Sequence, residues 1–195
     1  MKRGNTRTYC NPIPLPNYPA GYRAKSRRFY RETADLPVLY DGGKWYLYPS
    51  CGMAYVTEDF INWEYHNIRT EAAMEGYAPT IAKVGGKYYL MCNTYDLFEA
   101  ASPPGPFRNL GKIRMEDGRD GEFADPMIFP DDDGRVYICW GCGTGYVHGM
   151  RLNEHNLTEA IGKPFRCSPS IRRMSGSASA LTTRTRASRS LRAAG

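Results

Sequence analysis

Three stretches of this chain repeat one pattern at nearly even spacing, and that repetition limits the fold more than any other feature. They run Ala34-Asp-Leu-Pro-Val-Leu-Tyr-Asp-Gly-Gly-Lys-Trp-Tyr-Leu-Tyr48, Ala78-Pro-Thr-Ile-Ala-Lys-Val-Gly-Gly-Lys-Tyr-Tyr-Leu-Met91 and Ala124-Asp-Pro-Met-Ile-Phe-Pro-Asp-Asp-Asp-Gly-Arg-Val-Tyr-Ile-Cys-Trp140, with opening alanines 44 and 46 residues apart. Each is a short apolar strand, a glycine turn and an aromatic strand, a β-hairpin by its turn chemistry. Each is followed by material for two more strands: 53–57 and 63–67, then 97–101 and 107–113, then 146–152 and 157–161. Four short strands about every 45 residues mark a propeller blade, which cannot bury both its faces alone. The expected fold is therefore all-β, a β-propeller with about three blades present. A plain antiparallel sandwich is the alternative, and the threefold recurrence of the same order counts against it.

The charge has to be read by region. The 195 residues carry a net +6, yet residues 1–31 hold eight Lys and Arg with no acid, and residues 166–195 hold seven Arg with no acid. Residues 32–165 hold eleven Lys and Arg against all twenty Asp and Glu, a net of −9. An acidic body repels phosphate backbones, so neither a nucleic-acid nor a membrane-surface partner is expected, despite the basic ends. No apolar run is long enough for a spanning helix. All 25 aromatic residues precede residue 166. This divides the chain into an extended N-terminal arm (1–31), a partial β-propeller (32–165) and a tail (166–195) that reads as disordered or frameshifted, with a natural low-complexity tail as the alternative. The start has no apolar segment after its basic residues, and the six cysteines show no framework spacing. Both features point to a cytoplasmic location with reduced thiols.

Equivalent positions in successive blades lie at the same end of the central channel. Aligning the opening alanines puts Asp35 and Asp125 at one repeat position, with Pro79 in the second unit, so the fold does not demand an aspartate there. Two carboxylates facing one cavity are the parts of a glycosidase: one deprotonates a water while the other tunes the proton load. Trp45 and Tyr77 are candidate sugar-stacking faces and Glu75 a candidate cavity carboxylate. Blade packing and a solvated loop are their respective alternatives. No cofactor or metal is implied. His66, His148 and His155 fall at no ligand spacing, and a calcium loop through Asp131–Gly134 would need ligands at Phe129 and Trp140. Cys139-Trp-Gly-Cys142 is followed by no helix, so it reads as a structural pair of thiols and not as a redox motif.

The segments Ala34-Asp35-Leu-Pro with Lys44-Trp-Tyr-Leu-Tyr48, Ala78-Pro79-Thr-Ile with Lys87-Tyr-Tyr-Leu90, and Ala124-Asp125-Pro with Gly134-Arg-Val-Tyr137 resemble the first three blades of glycoside hydrolase family 43. The resemblance covers roughly residues 30–163. It implies a five-bladed propeller and inverting hydrolysis of arabinose- and xylose-containing glycans, with an oligo- or polysaccharide as partner. By the same resemblance, Asp35 is the general base, and Asp125 orients the acid and modulates its pKa. Two departures stand out. Leu36 separates Asp35 from its proline, and the family's general acid, a fourth-blade glutamate, has no counterpart because no acid follows Glu159. The expected product is a truncated, weakly active or inactive glycosidase. A non-catalytic carbohydrate-binding propeller fragment is the alternative. The oligomeric state is left open.

Overall fold

The computed structural model describes residues 13, 15–16, 35–50, 52–68, 77–142 and 145–168. Their regular structure consists of twelve strands in three four-stranded antiparallel meanders. The first sheet contains β1 (Val38–Asp41), β2 (Lys44–Leu47), β3 (Met53–Thr57) and β4 (Glu64–Asn67). The second contains β5 (Thr80–Val84), β6 (Lys87–Met91), β7 (Asp96–Ala100) and β8 (Arg108–Lys112). The third contains β9 (Met127–Pro130), β10 (Val136–Trp140), β11 (Val147–Asn153) and β12 (Asn156–Ser168). The innermost strands β1, β5 and β9 lie side by side in that order, as the blades of a propeller require.

Alternation along each strand explains how the blades stack, since successive side chains point to opposite faces. On β6, Tyr88 and Leu90 join Tyr46, Tyr48 and Ala54 in the core between the first two blades. Met91 instead enters the second core, with Ile128, Ile138 and Met150. One strand thus serves two cores, which is why it reads as aromatic and apolar on both faces. Polar links cross the same seams. The Tyr48 hydroxyl donates to the Pro103 carbonyl at 2.8 Å, and Ile128 N–H donates to Thr80 Oγ1 at 3.1 Å. At the solvent end of the first seam, Asp41 accepts from Lys83 and from the Tyr88 hydroxyl, which holds its carboxyl below the usual carboxylate range. Ile138 has no exposed surface, so Ile138→Ala is expected to destabilise the fold by about 2–5 kcal/mol through lost transfer energy and a cavity. Denaturant unfolding checks this, and a change below about 1 kcal/mol would mean the second seam is not a packed core.

The two end faces differ from the seams. On blade one, Leu15 packs with Leu47, Met53 and Tyr55, and the Tyr55 hydroxyl donates to the Pro16 carbonyl at 2.9 Å. Val38 and Tyr40 on that blade are exposed, as are Met127, Phe129, Ile161 and Phe165 on blade three. These apolar end faces are the ones the repeat count anticipates for an arc of three blades.

The structure refines two expectations. First, β12 continues to Ser168, past the boundary at 165 that composition suggests, because its backbone still pairs with β11: His148 lies opposite Arg166 and Val147 opposite Ser168. The Arg166 guanidinium sits 4.2 Å over the Tyr146 ring. Residues 169–195, and nearly all of the N-terminal arm, lie outside the described residues. Second, the Asp131–Gly134 segment is a tight turn, with Gly134 N–H donating to the Asp131 carbonyl at 3.0 Å and Arg135 N–H to Asp133 Oδ1 at 2.9 Å.

Candidate functional site

The hairpin registers define which residues are equivalent. Thr80 pairs with Met91 and Met127 with Cys139 at the open ends of the second and third inner hairpins. Tyr48 N–H donates to the Pro37 carbonyl at the same place in the first. Two residues before these positions stand Asp35, Ala78 and Asp125, and all three adopt the left-handed conformation, with φ of 53°, 48° and 52°. The second unit's counterpart of the two aspartates is therefore Ala78 and not Pro79. The opening alanines are one residue out of step there, because proline's ring forbids positive φ and the left-handed residue has to precede it. A left-handed alanine shows that the blade imposes the backbone whatever the side chain. Aspartate accepts that conformation more readily than most residues.

Asp35 and Asp125 thus sit at the same end of the inner strands, at the entry of β1 and β9, the end that corresponds to one mouth of a propeller's central channel, and both are exposed. The Asp125 N–H donates to Asn93 Oδ1 at 3.0 Å, and the Asp125 carboxylate beside the Cys142 thiol raises the thiol's pKa. Asn93 N–H in turn donates to the Tyr77 carbonyl at 3.1 Å, and Gly141 N–H to the Ala124 carbonyl at 2.9 Å. Gly141 has a φ of 143°, and a Cβ there would lie 2.6 Å from the Tyr146 carbonyl oxygen. Only glycine fits this bend. Beside Asn93, the Thr94 hydroxyl is buried without a protein partner, a polar group left for water or a ligand hydroxyl to satisfy.

Of the other candidates, Tyr77 joins the mouth through Asn93 and is exposed. Trp45 does not join it. It follows the Gly42–Gly43 turn at the far end of the hairpin, between the rings of Tyr40 at 4.6 Å and Phe60 at 5.2 Å. Its aromatic face packs within blade one and does not line the mouth with Asp35. Glu75 lies outside the described residues. Asn93 and Cys142 were missed by sequence reasoning, since neither belongs to a repeat motif. Their one signal is position: both fall just after the second strand of an inner hairpin. The two cysteines of the Cys139–Cys142 segment have separate partners. Cys142 faces Asp125, whereas Cys139 faces Cys167, and burial together with that neighbour pushes the Cys139 thiol up to about 11. A shallow groove of about 410 Å³ at the β3–β4 connection, lined by Lys44, Asp59 and Trp63 among others, lies at the opposite end from the mouth.

Three meander blades, with two aspartates in register at one end, define the chain as part of a β-propeller. The model of glycosyl hydrolases family 43 matches residues 31–166, and the chain belongs to that family. Its fold is that of the family's five-bladed propellers, of which about three blades are present. An α-L-arabinofuranosidase from Clostridium thermocellum is 22% identical with a TM-score of 0.57, covering 76% of this chain and 59% of its own. An arabinoxylan arabinofuranohydrolase from Bacillus subtilis, in complex with cellotetraose, is 21% identical with a TM-score of 0.54, covering 70% and 41%. An α-L-arabinanase from Cellvibrio cellulosa, complexed with arabinohexaose, is 19% identical with a TM-score of 0.55, covering 71% and 53%. The chain therefore spans about two fifths to three fifths of the length of these structures. No curated protein matches it.

Proposed function

We propose that this chain carries the base side of an inverting glycosidase site for arabinose- and xylose-containing glycans. The observation that carries the reading is the register equivalence of Asp35 and Asp125 at one mouth of the channel, where the second blade has only alanine. Asp35 takes the proton of the attacking water, and Asp125 orients the proton donor and shifts its pKa. Residues 160–195 contain no Asp or Glu, and on this reading the proton donor is not among them. The chain's turnover is therefore weak and confined to substrates whose leaving group departs without a proton. The arabinose-directed names of the structural neighbours support the substrate class.

The test is hydrolysis of 4-nitrophenyl α-L-arabinofuranoside by the purified chain, with the first-formed sugar observed by proton NMR. Initial appearance of the β-anomer is expected, because one displacement inverts the centre. First appearance of the α-anomer would overturn the inverting mechanism. Saturable arabino-oligosaccharide binding with no turnover of the aryl glycoside would favour the carbohydrate-binding alternative.

A further inference from the structure

We propose that Asn93 is a positioning residue for Asp125, acting across the seam between the second and third blades. This rests on the function proposed above. The left-handed conformation is unfavourable for an L-residue relative to the right-handed one. At Asp125 that conformation is met by a hydrogen bond from its N–H to Asn93 Oδ1 at 3.0 Å. Asn93 is itself anchored: its N–H donates to the Tyr77 carbonyl at 3.1 Å, and Tyr95 N–H closes the turn onto the Cys92 carbonyl at 2.9 Å. Cys92 is buried in the core between the first two blades. The Asp125 backbone, from which its side chain projects, is thus tied to blade two.

The position matters because an orienting carboxylate contributes only if its direction is set before the reaction. In blade one the residue in register with Asn93 is Ser50, and in blade three it is Gly141, as the hairpin ladders show. Glycine has no side chain to reach outward. An asparagine facing an aspartate therefore occurs at one seam of the arc, the one that leads to Asp125.

The experiment uses the full chain, with Asp125 amide exchange, melting temperature and the pH dependence of Cys142 alkylation by iodoacetamide, located by peptide mass, read for each variant. Asp125 amide exchange should be slow in the unaltered chain and in Asn93→Asp, which keeps the acceptor oxygen, and fast in Asn93→Ala. The Asp125 carboxylate raises the Cys142 thiol's pKa, so a misaimed Asp125 should let Cys142 of Asn93→Ala react at lower pH than in the unaltered chain. The proposal is overturned if Asn93→Ala leaves both the exchange and the Cys142 profile unchanged, or if exchange in Asn93→Asp is as fast as in Asn93→Ala. Failure of the unaltered chain to turn over 4-nitrophenyl α-L-arabinofuranoside would instead sink the functional reading and leave the positioning of Asp125 by Asn93 standing.

Discussion

Asp35→Asn is expected to reduce turnover of an aryl arabinofuranoside by about 10²–10⁴-fold, the usual contribution of a general base. The substitution is isosteric, and Asp35 is exposed at the entry of β1, so the melting temperature should be unaffected. Asparagine also tolerates the left-handed backbone that the position imposes. What it removes is the acceptor for water's proton. Azide needs no proton removed before it attacks, so added azide should restore release of nitrophenolate and yield the inverted glycosyl azide. A variant with the parent's rate, or one whose loss azide cannot repair while the fold stays intact, would remove Asp35 from the base role.

The second large effect concerns the leaving group. A nitrophenolate leaves as a stable anion, whereas a sugar alkoxide leaves only if its oxygen is protonated during cleavage. On the proposed function, with a base and no proton donor, the chain should cleave the aryl glycoside at least about 10²–10⁴-fold faster than an arabino-oligosaccharide at equal binding, a range set by what general-acid catalysis contributes. Across a series of aryl glycosides the rate should fall steeply as the leaving group becomes more basic. Comparable rates on the aryl glycoside and the oligosaccharide would require a proton donor within the chain. They would overturn the assignment of this polypeptide as the base half of the site.

Much of the architecture was legible in the residues. The glycine turns at Gly42–Gly43 and Gly85–Gly86, with an apolar strand before and an aromatic strand after, specify hairpins locally, and both hairpins formed. The strand pairs expected after each hairpin also appear within a residue or two, except β12, which runs to Ser168. Composition misjudged that end because a ladder needs only backbone groups, and an arginine-bearing edge can pair as well as an apolar one. The alanine alignment slipped at Pro79 for a different reason. Sequence similarity followed Ala-Asp and Ala-Pro, while the structure aligns the left-handed residue, a backbone state that no single residue type announces. Trp45 looked like a sugar platform by type alone, yet the hairpin register carries it to the end of the blade away from the mouth.

By itself the sequence determined the number of blades, the strands within them and the two aspartates at their entries. These follow from turn chemistry and period-two alternation, which act over a few neighbouring residues. The tertiary structure alone decided which groups meet across the seams: the Asp125 N–H on Asn93 Oδ1, 32 residues apart, and the Ile128 N–H on Thr80 Oγ1, 48 residues apart. Such contacts depend on how one twisted sheet settles on the next. That packing is set by the summed shape of two apolar faces, which no local pattern encodes.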